Sequence, residues 1–277
     1  MKPLFIALFL VLFVSCNDDD ESTISVDYKA ENELEIKDYI SKNNLNAKST
    51  ASGLHYVIDE QGEGAEITVT SDVSLRYKGM LTDGTVLLEN TEEGMSIVLR
   101  NEIAGLVEGL QLFNEGGSGT LLIPSHLAYG SSDYGEIPAG SVIVFEVELI
   151  DYDAENKSEI LEYVTDNELN AVESESGLFY VIDEQGTGDF PVETSSVTVA
   201  YKGYFTNGDV FDESTESGIT SQLNNFIPGW IEGLQYFKEG GKGKLLIPSS
   251  LAYGRYGNQN IPGGSVLVFE VNLISVN

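Results

Sequence analysis

The sequence predicts an α+β fold built twice in tandem, and three observations predict it. A long internal repeat returns without a gap, strand-like runs of β-branched and aromatic residues fill most of each copy, and one short helical pattern interrupts them. The repeat is read directly. Ser52-Gly53-Leu54 and Tyr56-Val57-Ile58-Asp59-Glu60-Gln61-Gly62 return as Ser176-Gly177-Leu178 and Tyr180-Val181-Ile182-Asp183-Glu184-Gln185-Gly186, an offset of 124 residues. The same offset pairs Tyr77-Lys78-Gly79 with Tyr201-Lys202-Gly203, Ile123-Pro124-Ser125 with Ile247-Pro248-Ser249, and Phe145-Glu146-Val147 with Phe269-Glu270-Val271. Roughly half the paired positions are identical, which marks the duplication of a whole domain and not a short-period solenoid. The copies span residues 27–150 and 151–277.

Two segments precede the first copy. Residues 1–15 carry Lys2 and an apolar run from Leu4 to Val14, too short to span a bilayer and of signal-peptide length. The run ends Phe13-Val14-Ser15-Cys16, which resembles a bacterial lipoprotein processing box and implies lipidation of Cys16; the plainer reading is a secretory signal with an incidental cysteine. Residues 16–26 include Asn17-Asp18-Asp19-Asp20-Glu21, a solvated acidic tether that also resembles the export tag of bacterial surface lipoproteins. The expected location is the outer membrane of the cell envelope, on its periplasmic face or at the cell surface.

Each copy opens on a charged stretch with apolar residues at helical spacing: Ile36, Tyr39 and Ile40, then Ile160, Tyr163 and Val164. This predicts an amphipathic helix that packs on its own domain or sets the angle between the two. Leu178–Asp183, Val197–Phe205 and Val266–Ile274 read as strands. Between them Pro228 suits a first helical position, and Trp230, Leu234 and Phe237 fall on one helical face. An antiparallel sheet folded over that helix is the expected domain.

Composition narrows the function. The chain has 277 residues, 42% hydrophobic, with 29 Gly and 7 Pro, so it is globular. Its formal net charge of −31 disfavours nucleic acid as a partner. One Cys and two His exclude an intramolecular disulfide and a His-rich metal site, and no cofactor is expected. His55 and His126 face Phe179 and Ser250 in the other copy, which rules out a histidine mechanism common to both.

What remains is a concentration of aromatics around one acid in the second copy. Tyr201-Lys202-Gly203, Val210-Phe211-Asp212, Ile227-Pro228-Gly229-Trp230, Leu251-Ala252-Tyr253-Gly254, Ile261-Pro262 and Val268-Phe269-Glu270-Val271 stand in this order. Together they resemble the FKBP-type peptidyl-prolyl cis/trans isomerases across nearly the whole repeat. The resemblance implies two tandem FKBP-like domains, each a curled antiparallel sheet around a short helix, and a proline-binding pocket. In that pocket Trp230 is the floor and Tyr201, Phe211, Ile227, Ile261 and Phe269 are walls. Tyr253 donates its hydroxyl to a substrate carbonyl, the Ile227 N–H binds another, and Asp212 either polarises the site or orients the Tyr201 hydroxyl. It also implies proline-containing polypeptide clients and binding of macrolide inhibitors. Without the other motifs, Trp230, Phe211 and Phe269 would read as ordinary core.

The first copy keeps Tyr77, Ile103, Tyr129, Ile137 and Phe145, but Leu87, Leu88 and Leu106 replace Phe211, Asp212 and Trp230. It is expected to have weak or no isomerase activity. The second copy departs from the family pattern too: the segment between Asp212 and Trp230 is shorter than in many members, and Ser221 falls where an aromatic often sits, which leaves one wall open. Against the enzyme stands a non-catalytic chaperone or adaptor that holds unfolded segments in both clefts. A surface scaffold with a vestigial pocket is disfavoured by the intact pocket set of the second copy.

Overall fold

The computed structural model describes residues 27–277, so the signal segment, the acidic tether and Cys16 lie outside the described residues. The first domain runs α1 (Lys29–Lys42), β1 (Lys48–Ser49), β2 (His55–Glu60), β3 (Asp72–Leu81), β4 (Val86–Val98), α2 (Ala104–Leu110), β5 (Ser118–Ile123) and β6 (Ile143–Leu149). The second runs α3 (Tyr152–Asp166), β7 (Val172–Glu173), β8 (Phe179–Glu184), β9 (Ser196–Tyr204), β10 (Val210–Glu213), β11 (Ile219–Gln222), α4 (Pro228–Gly233), β12 (Lys242–Ile247) and β13 (Leu267–Val276). The strands form two antiparallel sheets, ordered β1-β2-β5-β6-β3-β4 and β10-β9-β13-β12-β8-β7, with β11 also paired to β9.

Both faces of each sheet are covered, because alternate residues of a strand point to opposite sides. On the inner face Leu121, Ile123, Phe145 and Val147 pack on α2, and Leu245, Ile247, Phe269 and Val271 pack around α4. On the outer face Leu122 and Val144 receive Ile36 of α1, and Leu246 and Val268 receive Ile160 of α3. Each amphipathic helix therefore docks on its own domain.

A buried asparagine locks each outer helix in place. Asn156 Nδ2 donates to the Gly264 carbonyl at 2.7 Å and its Oδ1 accepts from the Ser249 N–H at 2.7 Å. Asn32 makes the same pair with Gly140 and Ser125, at 2.7 and 2.8 Å. Gly264 is required beside it: its φ is +75°, and a Cβ would fall 2.0 Å from the Tyr152 ring.

One helix departs from the sequence expectation. The pattern over Trp230, Leu234 and Phe237 predicts one continuous face, yet α4 ends at Gly233, a 3₁₀ turn carries Leu234–Tyr236, and Phe237 lies beyond it in extended backbone. All three side chains are still buried, because tightening the last turn keeps them facing the sheet.

The domains join through two residues. Ile150 is fully buried in the first domain and donates its N–H to the Ser74 carbonyl at 2.8 Å, while Asp151 caps α3 by accepting the Ala154 N–H at 3.0 Å.

Candidate functional site

In the second domain, Tyr201, Phe211, Asp212, Ile227, Trp230, Tyr253, Ile261 and Phe269 line one cavity of about 580 Å³. Three local devices bring them together. Phe211 and Asp212 are neighbours, and a regular strand would send them to opposite faces. The pairing of β10 with β9 slips there, with Tyr204 opposite Val210 but Gly203 opposite Asp212, so the bulge turns both into the cavity. Gly203 also makes room, since a Cβ would meet the Phe211 and Phe269 rings at 2.7 Å. Pro228 starts α4 at its first turn, which places Trp230 on the inward face.

Trp230 is the centre of the aromatic packing. Its ring meets Tyr201 at 5.1 Å and 87°, Phe269 at 5.2 Å and 86°, and Phe226 at 4.9 Å and 36°. Phe211 meets Phe269 edge-on at 5.4 Å. Edge-to-face contacts fix ring orientations and leave the indole face as a flat floor.

The polar groups are few. The Tyr201 hydroxyl donates to Asp212 Oδ2 at 2.7 Å, so the carboxylate orients this hydroxyl. Burial raises the Tyr201 pKa far above the usual tyrosine range, and the Asp212 hydrogen bond and charge add to the shift. Tyr253 is 39% exposed at the rim. At the start of α4 the Ile227 carbonyl accepts from Trp230 and Ile231, whereas its N–H has no partner among the described residues. Among the described residues no cluster of three or more His, Cys, Asp or Glu is placed to hold a metal ion.

Sequence reasoning did not assign Ile219, Asn225, Phe226, Asn258 and Asn260 to the cavity, which they also line. Phe226 is visible as an aromatic beside Ile227, and its tilted contact with the Trp230 ring makes it a wall. Ser221, by contrast, does not line the cavity: it accepts a hydrogen bond from Asn225 Nδ2 at 3.2 Å, and Ile219 and Phe226 form that side.

The corresponding cavity of the first domain holds about 50 Å³, room for a few water molecules but not for a prolyl ring and its peptide. Met95, the counterpart of Ile219, enters it, and the Tyr77 hydroxyl lies 3.9 Å from the Met95 sulfur where Tyr201 has Asp212. Glu102 stands in the place of Phe226, half-buried, and desolvation raises its pKa. The two histidines serve the fold: His126 Nε2 lies 2.9 Å from the Ser52 carbonyl and His55 Nδ1 lies 3.3 Å from that of Gly53.

The chain is 46% identical over 109 residues to the FKBP-type peptidyl-prolyl cis-trans isomerase FkpA of Buchnera aphidicola, covering 39% of this chain and 43% of that protein. It is 46% identical over 105 residues to FkpA of Escherichia coli K12, covering 37% and 39%. The chain thus spans less than half the length of these curated relatives. The crystal structure of Escherichia coli FkpA aligns at 40% identity over 45% of this chain and 61% of that one, with a TM-score of 0.42. The family model FKBP_C, FKBP-type peptidyl-prolyl cis-trans isomerase, matches residues 63–150 and 188–274, well over half of the sequence. The chain therefore belongs to the FKBP-type peptidyl-prolyl cis-trans isomerase family, which it carries in two tandem copies.

Proposed function

We propose that the protein is a peptidyl-prolyl cis/trans isomerase whose catalysis resides in the second domain. The observation that carries this is the contrast between a 580 Å³ aromatic cavity holding Asp212 and Trp230 and its collapsed 50 Å³ counterpart. Isomerising an X–Pro bond breaks no covalent bond; the barrier of about 18–20 kcal/mol is the amide resonance lost as the C–N bond twists. A twisted amide is less charge-separated than a planar one, so the aromatic floor and walls of the cavity disfavour the planar form relative to the twisted one. Lowering the barrier by roughly 4–6 kcal/mol gives about a thousand- to twenty-thousand-fold acceleration.

Within this reading the prolyl ring rests on Trp230, between Tyr201, Phe211, Ile227, Ile261 and Phe269. The Tyr253 hydroxyl and the Ile227 N–H each take a flanking carbonyl. Asp212 fixes the Tyr201 hydroxyl, which keeps that wall in one rotamer. The substrates are proline-containing segments of polypeptides, and macrolide inhibitors occupy the same cavity. The protein assists the folding of exported clients, tethered to the cell envelope at the outer membrane by lipid on Cys16. The apolar leader, its closing cysteine and the acidic run behind it support that location.

The test is the rate of cis/trans isomerisation of a short X–Pro peptide by the full chain and by Asp212→Ala. Turnover that falls at least about tenfold in the variant supports the assignment, and absence of turnover in the unaltered chain refutes it. For the anchor, Cys16→Ser is expected to leave the protein out of the membrane fraction; undiminished membrane recovery refutes lipidation.

A further inference from the structure

One side of the second-domain cavity is a single loop, residues 253–264, which carries Tyr253, Asn258 and Ile261. The loop is bonded to itself. The Asn258 N–H donates to the Ile261 carbonyl at 2.8 Å, Asn258 Oδ1 accepts from the Ile261 N–H at 3.1 Å, and the Gly264 N–H donates to the Gly254 carbonyl at 3.0 Å. It is also tightly folded, since a Cβ on Gly263 would sit 2.1 Å from the Arg255 carbonyl oxygen. A grip at one point therefore sets the whole loop.

That grip comes from the first domain. Arg255 Nη2 lies 3.1 Å from Glu115 Oε1, its Nη1 donates to the Asp72 carbonyl, and its own carbonyl accepts from the Ser96 hydroxyl at 3.2 Å. The Arg255 and Glu115 side chains are only 29% and 18% exposed, so this pair is sheltered from the screening that weakens surface ion pairs. None of this is inherited from the repeat. Ser131 stands at the position of Arg255 in the first copy, and Glu239, the counterpart of Glu115, turns into its own domain to accept the Val276 N–H at 2.8 Å.

We propose that Arg255 is a positioning residue, through which the first domain holds the 253–264 loop in the shape that completes the neighbouring pocket. The degenerate copy then acts on the reaction without binding substrate. The proposal rests on the isomerase reading for its kinetic consequence but not for its structural one, and the two are measured separately.

The experiment is amide hydrogen exchange of residues 253–264 in the full chain, for the unaltered protein, Arg255→Ala, Arg255→Lys and Glu115→Ala, alongside kcat and KM on an X–Pro peptide. Loop exchange is expected to rise about tenfold in Arg255→Ala and less in Arg255→Lys, with β12 and α4 unchanged. KM is expected to rise roughly three- to tenfold while kcat moves less, because a misplaced wall weakens binding before it alters the twist. Glu115→Ala removes the grip from the first-domain side and is expected to act in the same direction, even where Arg255→Ala fails to fold. Loop exchange unaltered in the folded variants overturns the proposal, as does raised exchange with an unchanged KM. No turnover by the unaltered chain instead overturns the isomerase reading, and exchange alone then decides the brace.

Discussion

Replacing Asn156 by Ala tests the view that each outer helix is locked by one buried amide. Asn156 is 2% exposed, and its side chain satisfies the Gly264 carbonyl and the Ser249 N–H, both in buried residues. Alanine leaves both backbone groups unpaired in a site without room for bulk water. An orphaned buried donor or acceptor costs about 1–3 kcal/mol, so the pair costs about 2–6 kcal/mol. For a domain of this size that lowers the melting temperature by about 6–20 °C. The chain has a single tryptophan, Trp230, in the second domain, so a melt followed by tryptophan fluorescence reports on that domain. Asn32→Ala is the internal control: it makes the same lesion in the first domain and is expected to move the fluorescence transition less than Asn156→Ala does. A shift below about 2 °C for Asn156→Ala would refute the reasoning, because it would mean that water or a small rearrangement satisfies both groups.

Trp230→Leu gives the second domain the residue that Leu106 supplies in the first; it is expected to lower kcat/KM on an X–Pro peptide at least about tenfold and stability by roughly 2–4 kcal/mol in urea unfolding. Met95→Ala opens the first-domain cavity at a cost of about 1–2 kcal/mol, half-buried as Met95 is, and in a Trp230→Leu background adds no isomerase activity, since the acid and the indole floor are still missing. The hydroxyls of Tyr201 and Tyr204 have pKa values raised in the folded state, chiefly by burial, with Asp212 adding at Tyr201 and Tyr163 and Glu270 at Tyr204. Their unfolded counterparts ionise near pH 10, so this contribution to stability is whole below pH 10 and lost as pH rises above it. The urea midpoint is expected to fall between pH 9 and 11, and Tyr204→Phe to flatten part of that fall; an unchanged slope counts against the assignment.

The repeat, the sheet and the inward aromatics were legible because each obeys a local rule: identity at one offset, alternation along strands, and helical spacing after Pro228. Asp212 was legible as an acid among aromatics, with orienting the Tyr201 hydroxyl as one of its two candidate roles, but the bulge that brings the two together is one that no propensity signals. Phe226 and Ile219 escaped assignment because strand pairing decides which residues of the 213–227 segment face inward. The collapse of the first pocket was half legible. Three leucines announced lost chemistry, whereas the entry of Met95 depends on how a flexible thioether fills the space they leave. Arg255 was out of reach altogether, because its partners lie in the other copy at sequence separations above 100 residues, where pattern reading has no purchase.

The two-residue junction has a consequence for how the chain meets proteases. Tandem domains are usually severed where an extended, exposed segment joins them. Here one joining residue is embedded in the core behind it and the next is committed to the helix ahead, so cleavage there requires the edge of one domain or the first turn of α3 to open. The duplicated halves therefore persist or perish as a pair, and the copy with the collapsed pocket is not shed from the copy with the open one by a single surface cut.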